Sequence, residues 1–475
     1  MFESKKKLKY ILVGLKTRGV ILLLLTALVL SGATAGCGLF SGETAGPEED
    51  PAVEEETETT EEEEISGDLL TTITLWDCLD PRERIAFMES RDSFVSTFRD
   101  INIETRHFRS QEELQDQFEA ASLAGAGPEI ILLDLDGVQR LAPSNVTKEI
   151  VDEVDYALIL EGLREISSYN DKNYIIPFRS YDFLTFYYNK DFVKEPPSDF
   201  EDVLEYAQNI TDSGDFEEGT YGFILNESEA DWIIPFIGGY NGWIIDYSTN
   251  SLTLDSQATQ LTLEFLDYVY SQSLILEAGM EYGEINELFK NGSAHMIIDY
   301  YSAAEEYIEA GVNIGLSEIP RVWGGTRYPT PMISGLGFMI NTNTYGVELE
   351  AARDFIDFML TEEIQLVWNE STSTLPVLES IDESEDFGQD IILNAAYRQA
   401  KICRGKPYEQ LLMVIRNAIS DNVDSLLAGD ILPADAALKI QEDAIRLRSG
   451  TLPLKKSSEP EQEIQEPDEN NEGNE

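Results

Sequence analysis

Apolar and polar positions change period several times along the chain, and each change marks an element. Thr72-Ile73-Thr74-Leu75-Trp76 alternates with period two and predicts a first strand. A helical stretch follows, and Asn102-Ile103-Glu104-Thr105 predicts a second strand. Ser110-Gln111-Glu112-Glu113 is a capping box that opens a helix with Leu114, Phe118 and Ala121 on one face, closing near Gly125. The apolar run after Glu129, from Ile130 to Leu133, fits a parallel strand buried on both sides. Strand, helix, strand, helix, strand in that order indicates an α/β lobe.

Farther on, Ile175-Ile176-Pro177 and Leu184 to Tyr188 predict extended segments. Pro196-Pro197 breaks the chain before a second capping box, Ser198-Asp199-Phe200-Glu201. Leu261, Phe265, Tyr268 and Val269 share a helical face, and Ile285, Leu288 and Phe289 form another that ends at Gly292, before a strand at His295–Ile298. Leu349, Ala352, Ile356 and Met359 mark one more amphipathic helix, and the remainder is mainly helical to about Arg448. No internal repeat is visible. The central part has room for two lobes of roughly 150–200 residues each.

Composition narrows the function. The 475 residues include 90 Asp+Glu against 33 Lys+Arg, a formal net charge of -57. Most of the excess acid lies in the central stretch, so it belongs to the folded part. A nucleic-acid binder needs a basic footprint, and none exists here. Only two histidines, His107 and His295, are present, too few for a multi-histidine metal site. Asp134-Leu135-Asp136-Gly137 is a fragment of a calcium loop without its remaining ligands, so neither metal nor cofactor is implied.

The two ends follow a different logic. Lys5, Lys6, Lys7, Lys9, Lys16 and Arg18 precede an apolar run from Val20 to Leu30 and then small residues, the order of an export signal. Ala35-Gly36-Cys37 resembles the lipobox of bacterial lipoproteins, although Thr34 stands where Leu is usual; the resemblance implies lipidation of Cys37. Residues 38–68 carry thirteen acids and no base, as expected of an extended tether, and 457–475 carry eight acids and no base, an acidic tail. The expectation is an extracytoplasmic protein held at the cell membrane by lipid. Whether Cys78 and Cys403 pair is left open.

Several segments, in order, resemble the solute-binding proteins of ABC importers, in particular the sugar-binding group typified by maltose-binding protein. They are Ala124-Gly125-Ala126-Gly127-Pro128-Glu129-Ile130-Ile131, Tyr187-Tyr188-Asn189-Lys190-Asp191 followed by Pro196-Pro197-Ser198-Asp199-Phe200, Phe289-Lys290-Asn291-Gly292-Ser293-Ala294-His295-Met296, Glu350 to Ile356, and Thr374-Leu375-Pro376-Val377. The resemblance implies an α/β, two-lobed periplasmic-binding-protein-like fold with several hinge crossings. It divides the chain into a signal at 1–36, lipidated Cys37 with the tether at 37–68, lobe one at 69–180 plus 333–375, lobe two at 181–332 plus 376–450, and the tail at 457–475. The hinge is expected near Pro177–Asp182 and Thr330–Gly337. Its implied function is capture of a sugar or oligosaccharide by closure of the lobes, with delivery to ABC permease subunits by a monomer.

A sugar site needs flat rings for C–H faces and carboxylates or Arg for hydroxyls. Trp76, Asp77 and Asp80 are candidates at the end of the first strand, where open α/β sheets place ligands. Asp136 matches a sugar-binding Asp of the family, but Gly137 replaces the Arg beside it. Arg179, Tyr181 and Asp182 stand at the first hinge crossing, and Gly335 at the second. Asp231 and Trp232 precede Ile233-Ile234-Pro235, with Trp232 expected to be the stacking platform. Tyr300 and Tyr301 follow the later strand. Leu412 stands where the family has a stacking Trp, four positions before Arg416, which with Gly137 argues against maltose itself. Competing readings are a peptide or polyamine ligand in the same fold, a sugar-sensing receptor, and an exported glycoside hydrolase, for which paired carboxylates exist but no catalytic motif.

Overall fold

The computed structural model describes residues 70–454 except 152–153, 182, 214–218, 273–275, 373, 384–386 and 388–389. The export signal, Cys37, the tether, Asp182 and the acidic tail lie outside the described residues. Among the described residues no helix is long and apolar enough to cross a membrane.

The chain first builds a mixed sheet. β1 (Thr71–Asp77) leads to α1 (Pro81–Thr97), β2 (Ile101–His107), α2 (Gln111–Leu123) and β3 (Ile130–Asp134), with β1 parallel to both β2 and β3. α1 starts where it does because Asp80 and Glu83 cap it reciprocally: Asp80 Oδ1 accepts from the Glu83 N–H at 2.8 Å and Glu83 Oε2 from the Asp80 N–H at 3.0 Å. Ser110 caps α2 through the Glu113 N–H at 3.1 Å. Next come α3 (Val138–Leu141), α4 (Glu161–Glu165), the hairpin β4 (Ser168–Tyr169) and β5 (Lys172–Asn173), and β6 (Ile176–Tyr181). Asn170 and Asp171 have φ of 50° and 59°, the positive values that a two-residue hairpin turn requires and that Asn and Asp tolerate.

The second sheet forms around β7 (Leu184–Asn189), flanked by the strands Met296–Tyr300 and Ile314–Ser317, both antiparallel to it. Between β7 and the first of these lie α5 (Phe200–Ser213), α6 (Ala230–Gly239), the hairpin β8 (Ile245–Asp246) and β9 (Ser251–Leu252), α7 (Gln257–Leu266) and α8 (Tyr282–Lys290). β10 (Met296–Tyr300), α9 (Ala304–Glu309) and β11 (Ile314–Ser317) follow. Asp199 Oδ1 accepts from the Asp202 N–H at 3.3 Å, so Asp199 caps α5, not Ser198.

The chain then returns to the first sheet as β12 (Met332–Ile340), antiparallel to β3 and β6. α10 (Gly346–Met359), α11 (Glu362–Thr372), α12 (Ile391–Ile402), β13 (Arg404–Gly405), α13 (Glu409–Leu427) and α14 (Pro433–Arg448) complete it. Leu375, Val377 and Glu379 hydrogen-bond to Ser180, Leu160 and Leu158, and β13 pairs with β12. Between these pairings α12 is bonded to the segment after β11, through Gln399 to the Ile319 N–H and Arg398 to Glu318, so the stretch after 376 touches both sheets, and the chain leaves β12 for the last time at Lys406–Tyr408.

Register explains how the halves face one another. Tyr300 lies opposite Leu184, so the C-terminal end of β10 and the N-terminal end of β7 share one edge. Ser334 lies opposite Tyr181, and Leu336 opposite Asp134, so β3 and β6 end where β12 begins. All three crossings run between these two edges. Side chains alternate with period two: along β7, Leu184, Phe186 and Tyr188 enter a core with α6, α7, α13 and α14, whereas Tyr187 enters another. That second core runs without a break from Phe118 and Leu133 on the first sheet through Phe183 to Ile297 and Tyr307 on the second. A third core, with Phe87, Phe94, Phe355 and Trp368, covers the outer face of the first sheet.

β12 crosses β6 closely at Gly335. A Cβ built there would lie 2.1 Å from the Arg179 carbonyl oxygen, which is backbone and cannot yield. Gly335→Ala should cost about 1–3 kcal/mol of stability, measured by urea unfolding; an unchanged midpoint would contradict this packing.

Candidate functional site

The seam between the sheets is built from strand ends. β1 delivers Asp77, which is 0% exposed. Both its oxygens accept from Arg84 Nη1, at 2.9 and 2.8 Å, and Oδ1 also meets His107 Nδ1 at 2.7 Å. These partners occupy the carboxylate, and Asp80 is occupied as the cap of α1. Trp76 is 8% exposed, with the Arg106 guanidinium 4.8 Å from its ring centre and Phe108 5.0 Å away. These three candidates therefore fix the β1–α1 turn, with Asp80 exposed and Trp76 and Asp77 buried.

At the ends of β3 and β6, Tyr181 donates to Asp134 Oδ1 at 2.5 Å. Arg179 is buried in an ion pair with Glu83, and its guanidinium lies 4.9 Å from the Tyr181 ring centre. Gly335 is buried by its strand pairing with β6. Asp136, on the single turn Leu135–Gly137 after β3, keeps one side open to solvent. Crowding raises its pKa, chiefly by desolvation and then through Asp134, while the charge of Lys406 acts the other way.

On the second sheet's side, Asp231 in the first turn of α6 accepts from Arg416 Nε at 2.7 Å and Nη2 at 2.6 Å, a bidentate pair, and from the Tyr300 hydroxyl at 3.1 Å. Arg416 also reaches Glu409 Oε1 at 3.2 Å. Burial works against the guanidinium charge, but the bonds to Asp231 and the charges of Asp231 and Glu409 outweigh it and raise its pKa. Trp232 is 1% exposed. Its indole N–H donates to the Ile298 carbonyl at 2.6 Å, and Tyr300 and Tyr282 cover its ring at 5.2 and 5.4 Å. The expected stacking platform is thus a core residue, because α6 has no polar position from Trp232 to Ile237 and turns position 232 inward. Tyr301 stacks on Phe183 at 5.6 Å and 14°, and burial pushes its hydroxyl up to about 12.

Open space lies nearby. A gap of about 10 Å³, enough for one water, separates Leu184, Asp231, Tyr300, Met332 and Lys406. Beyond Lys406 it gives way to a cavity of about 330 Å³. Asp136, Lys406 and Tyr408 line that cavity, together with Tyr169 from the β4–β5 hairpin and Tyr247 and Ser248 from the β8–β9 hairpin. Of the predicted residues, the structure brings Asp231 and Tyr300 together at the gap and places Asp136 in the cavity. Lys406, Tyr408, Tyr169 and Tyr247 were missed. Their signals were Pro407 between two helical stretches, and the Asn-Asp and Asp-Tyr-Ser-Thr-Asn turns. A larger hollow of about 760 Å³, lined by Trp243, Arg327, Lys401 and Arg404 among others, shares Glu165 with the cavity but includes neither Asp136 nor Lys406. Cys78 and Cys403 are free thiols, and burial pushes Cys78 up to about 11. Among the described residues no group of three or more His, Cys, Asp and Glu could hold a metal ion.

Comparison with known proteins places this geometry. A family model described as bacterial extracellular solute-binding protein matches residues 89–395. The galactooligosaccharide-binding protein of Bacillus subtilis (strain 168) is 21% identical over 299 residues, 60% of this chain and 68% of that protein. A maltooligosaccharide ABC transporter solute-binding lipoprotein of Streptococcus pneumoniae is 22% identical over 353 residues, 72% of this chain and 80% of that one. Among solved structures, a cyclo/maltodextrin-binding protein complexed with maltotetraose superposes with a TM-score of 0.66 at 17% identity, over 79% of this chain and 97% of that one. These relatives are solute-binding proteins rather than enzymes.

One buried acid at the seam titrates in an accessible range. Asp299 is 1% exposed and accepts from the Tyr300 N–H at 2.7 Å, Tyr282 at 3.0 Å and Tyr307. Burial outweighs these donors and pushes it up to about 6, from 3.8. The folded state therefore binds this proton more tightly than the unfolded chain, and the stability it supplies, roughly 3 kcal/mol, is present at low pH and lost as pH rises from 3.8 through 6. Asp299→Asn should flatten the melting temperature of the protein between pH 4 and 6 relative to the parent; parallel profiles would contradict the assignment.

Proposed function

The chain belongs to the bacterial extracellular solute-binding protein family, and from that premise we propose that it captures a saccharide at the seam and hands it to the permease of an ABC importer without altering it. The observation that carries this reading is the cavity at the third crossing. Its walls come from elements attached to both sheets, so a ligand there touches both lobes and favours their approach. Carboxylate, amide, hydroxyl and Tyr groups together match a hydroxyl-rich, flat-faced guest. The sugar-binding relatives support the same ligand class. Of the residues predicted from sequence, Asp136 is the proposed polar contact in the cavity, with Tyr300 and the Asp231–Arg416 pair closing the gap beside it.

Delivery follows from location. The export signal and Cys37 support a lipid-anchored, extracytoplasmic monomer, with the acidic stretch 38–68 as the spacer between membrane and fold. The relative named as a lipoprotein supports the same arrangement. A peptide or polyamine receptor, a sensor and a glycoside hydrolase rank behind this reading, since no observation at the seam favours any of them.

Calorimetric titration with a panel of neutral saccharides should give a micromolar dissociation constant for at least one, roughly 8 kcal/mol of binding, with no released product by chromatography. Binding of a peptide or a polyamine in place of every saccharide would reject the reading.

Closure can be tested separately. Arg82 of α1 and Glu305 of α9 pair across the seam, with Nη1–Oε2 at 2.8 Å and Nη2–Oε1 at 3.2 Å. Both are exposed, so salt screens them and the pair contributes little. Arg82→Glu should weaken ligand binding by no more than roughly fivefold, and adding Glu305→Arg should restore most of it. Equal affinities in all three proteins would show that the pair does not bias closure.

A further inference from the structure

Resting on the saccharide reading and the approach of the lobes argued above, we infer that Arg404 and Gly405 form a clasp that holds the lobes together and thereby sets the affinity for every ligand without touching one. Each of the two residues meets both lobes. On the side of lobe one, Glu165 at the end of α4 accepts from Arg404 Nε at 2.9 Å and Nη2 at 2.5 Å, and its Oε2 accepts from the Gly405 N–H at 2.9 Å. On the side of lobe two, the Gly405 carbonyl accepts from the Tyr247 hydroxyl of the β8–β9 hairpin. The Arg404 guanidinium lies 5.1 Å from the Trp243 ring centre and 6.0 Å from that of Tyr247. Arginine serves both sides at once, because its fork can satisfy a carboxylate while its flat face meets a ring.

The two attachments differ in stiffness. A Cβ built at Gly405 would lie 2.7 Å from the Gly162 carbonyl oxygen, and one built at Gly162 would lie 2.7 Å from that of Cys403. The backbones of α4 and β13 therefore already touch, and β13 is seated firmly on lobe one. The hairpin is held by one hydroxyl bond and by ring faces against a cation, which a small displacement of lobe two would part. That displacement starts next door, since the Lys406 N–H makes the last bond to β12, at Ile333, before the chain departs. Tyr247 and Ser248 of the same hairpin wall the cavity together with Asp136 and Tyr169. Fastening the hairpin to β13 keeps that wall in place.

Neither Arg404 nor Trp243 lines the cavity of about 330 Å³; both line the neighbouring hollows of about 480 and 760 Å³, and Glu165 borders all three. Arg404 is therefore a positioning residue. A clasp made only when the lobes are together scales the apparent affinity by the population of that state, so its loss weakens all ligands by one common factor. Loss of a direct contact weakens each ligand by its own factor.

The test is calorimetric titration of the parent protein, Tyr247→Phe, Arg404→Lys and the double variant with the saccharide panel, beside a melting curve for each. Tyr247→Phe keeps the ring at the cavity wall and deletes only the hydroxyl. Arg404→Lys keeps the charge but loses the fork and the flat face. Each single variant should weaken every saccharide that the parent binds by the same factor, roughly three- to tenfold. The double variant should lose less than the product of the two, because one clasp is broken only once. Unchanged or tighter binding in either folded single variant, or losses that differ between saccharides by more than about threefold, overturns this inference and leaves the saccharide reading intact. Silence of the parent toward the whole panel overturns both.

Discussion

Three passages of the chain thread one seam between two sheets, and that covalent constraint organises the rest. Each crossing must leave the end of one strand and enter the edge of another without exposing unpaired backbone to a core. β6 runs directly toward β7, β12 begins where β3 and β6 end, and β13 adds its short pairing beside β12 before Lys406 departs. So many backbones in one place leave no room for side chains between them, and Gly335 is the position where that shortage is absolute. The central core continues across the crossings through Phe183, so bending has to occur around packed rings rather than in a free linker.

Charge is distributed to suit that seam. In a chain with 33 basic and 90 acidic residues, most carboxylates must face water. Those drawn into the structure beside the seam have an arginine: Asp77 has Arg84, Glu83 has Arg179, Asp231 has Arg416 and Glu165 has Arg404. Arginine suits the task because its planar fork satisfies a carboxylate through more than one bond. Asp299 is held instead by hydroxyls and one backbone N–H, and burial raises its proton affinity; burial raises that of Glu83 too, against the pull of Arg179. A buried acid without a cation is costly to ionise.

The order of elements was legible because periodicity reports burial directly. The period-two run at Thr72–Trp76, the apolar strand after Glu129 and the helical face from Leu349 to Met359 all became the elements they predicted. The site was less legible, because a residue's place at the end of a strand does not say where its side chain goes. Asp77 and Trp76 do end β1, but Arg84, His107, Arg106 and Phe108 come from elsewhere in the sequence to cover them. Trp232 carried its own warning, since Trp232 to Ile237 has no polar position and a run apolar on every side is a buried one. Tyr169 and Tyr247 sit in hairpins whose strands are two residues long, too short for any period to register.

The burial of these tryptophan rings has a physical cause that bears on the site. A large ring placed at a strand end beside a three-way crossing is the best available filler for that junction, so packing claims the tryptophans first. Rings that remain accessible must stand on segments whose own backbone needs are met locally, and tight hairpins provide this. Asp246 Oδ1 accepts from the Ser248 N–H at 2.9 Å and its hydroxyl at 2.7 Å, closing the β8–β9 turn without help from the core. The β4–β5 hairpin does the same with its two positive-φ residues. Tyr247 shows the limit of that independence, since its hydroxyl donates to the Gly405 carbonyl of β13 and its ring packs against two of the cores. The hairpins thus border the cavity, and the β8–β9 hairpin at the same time fastens the halves of the seam to one another.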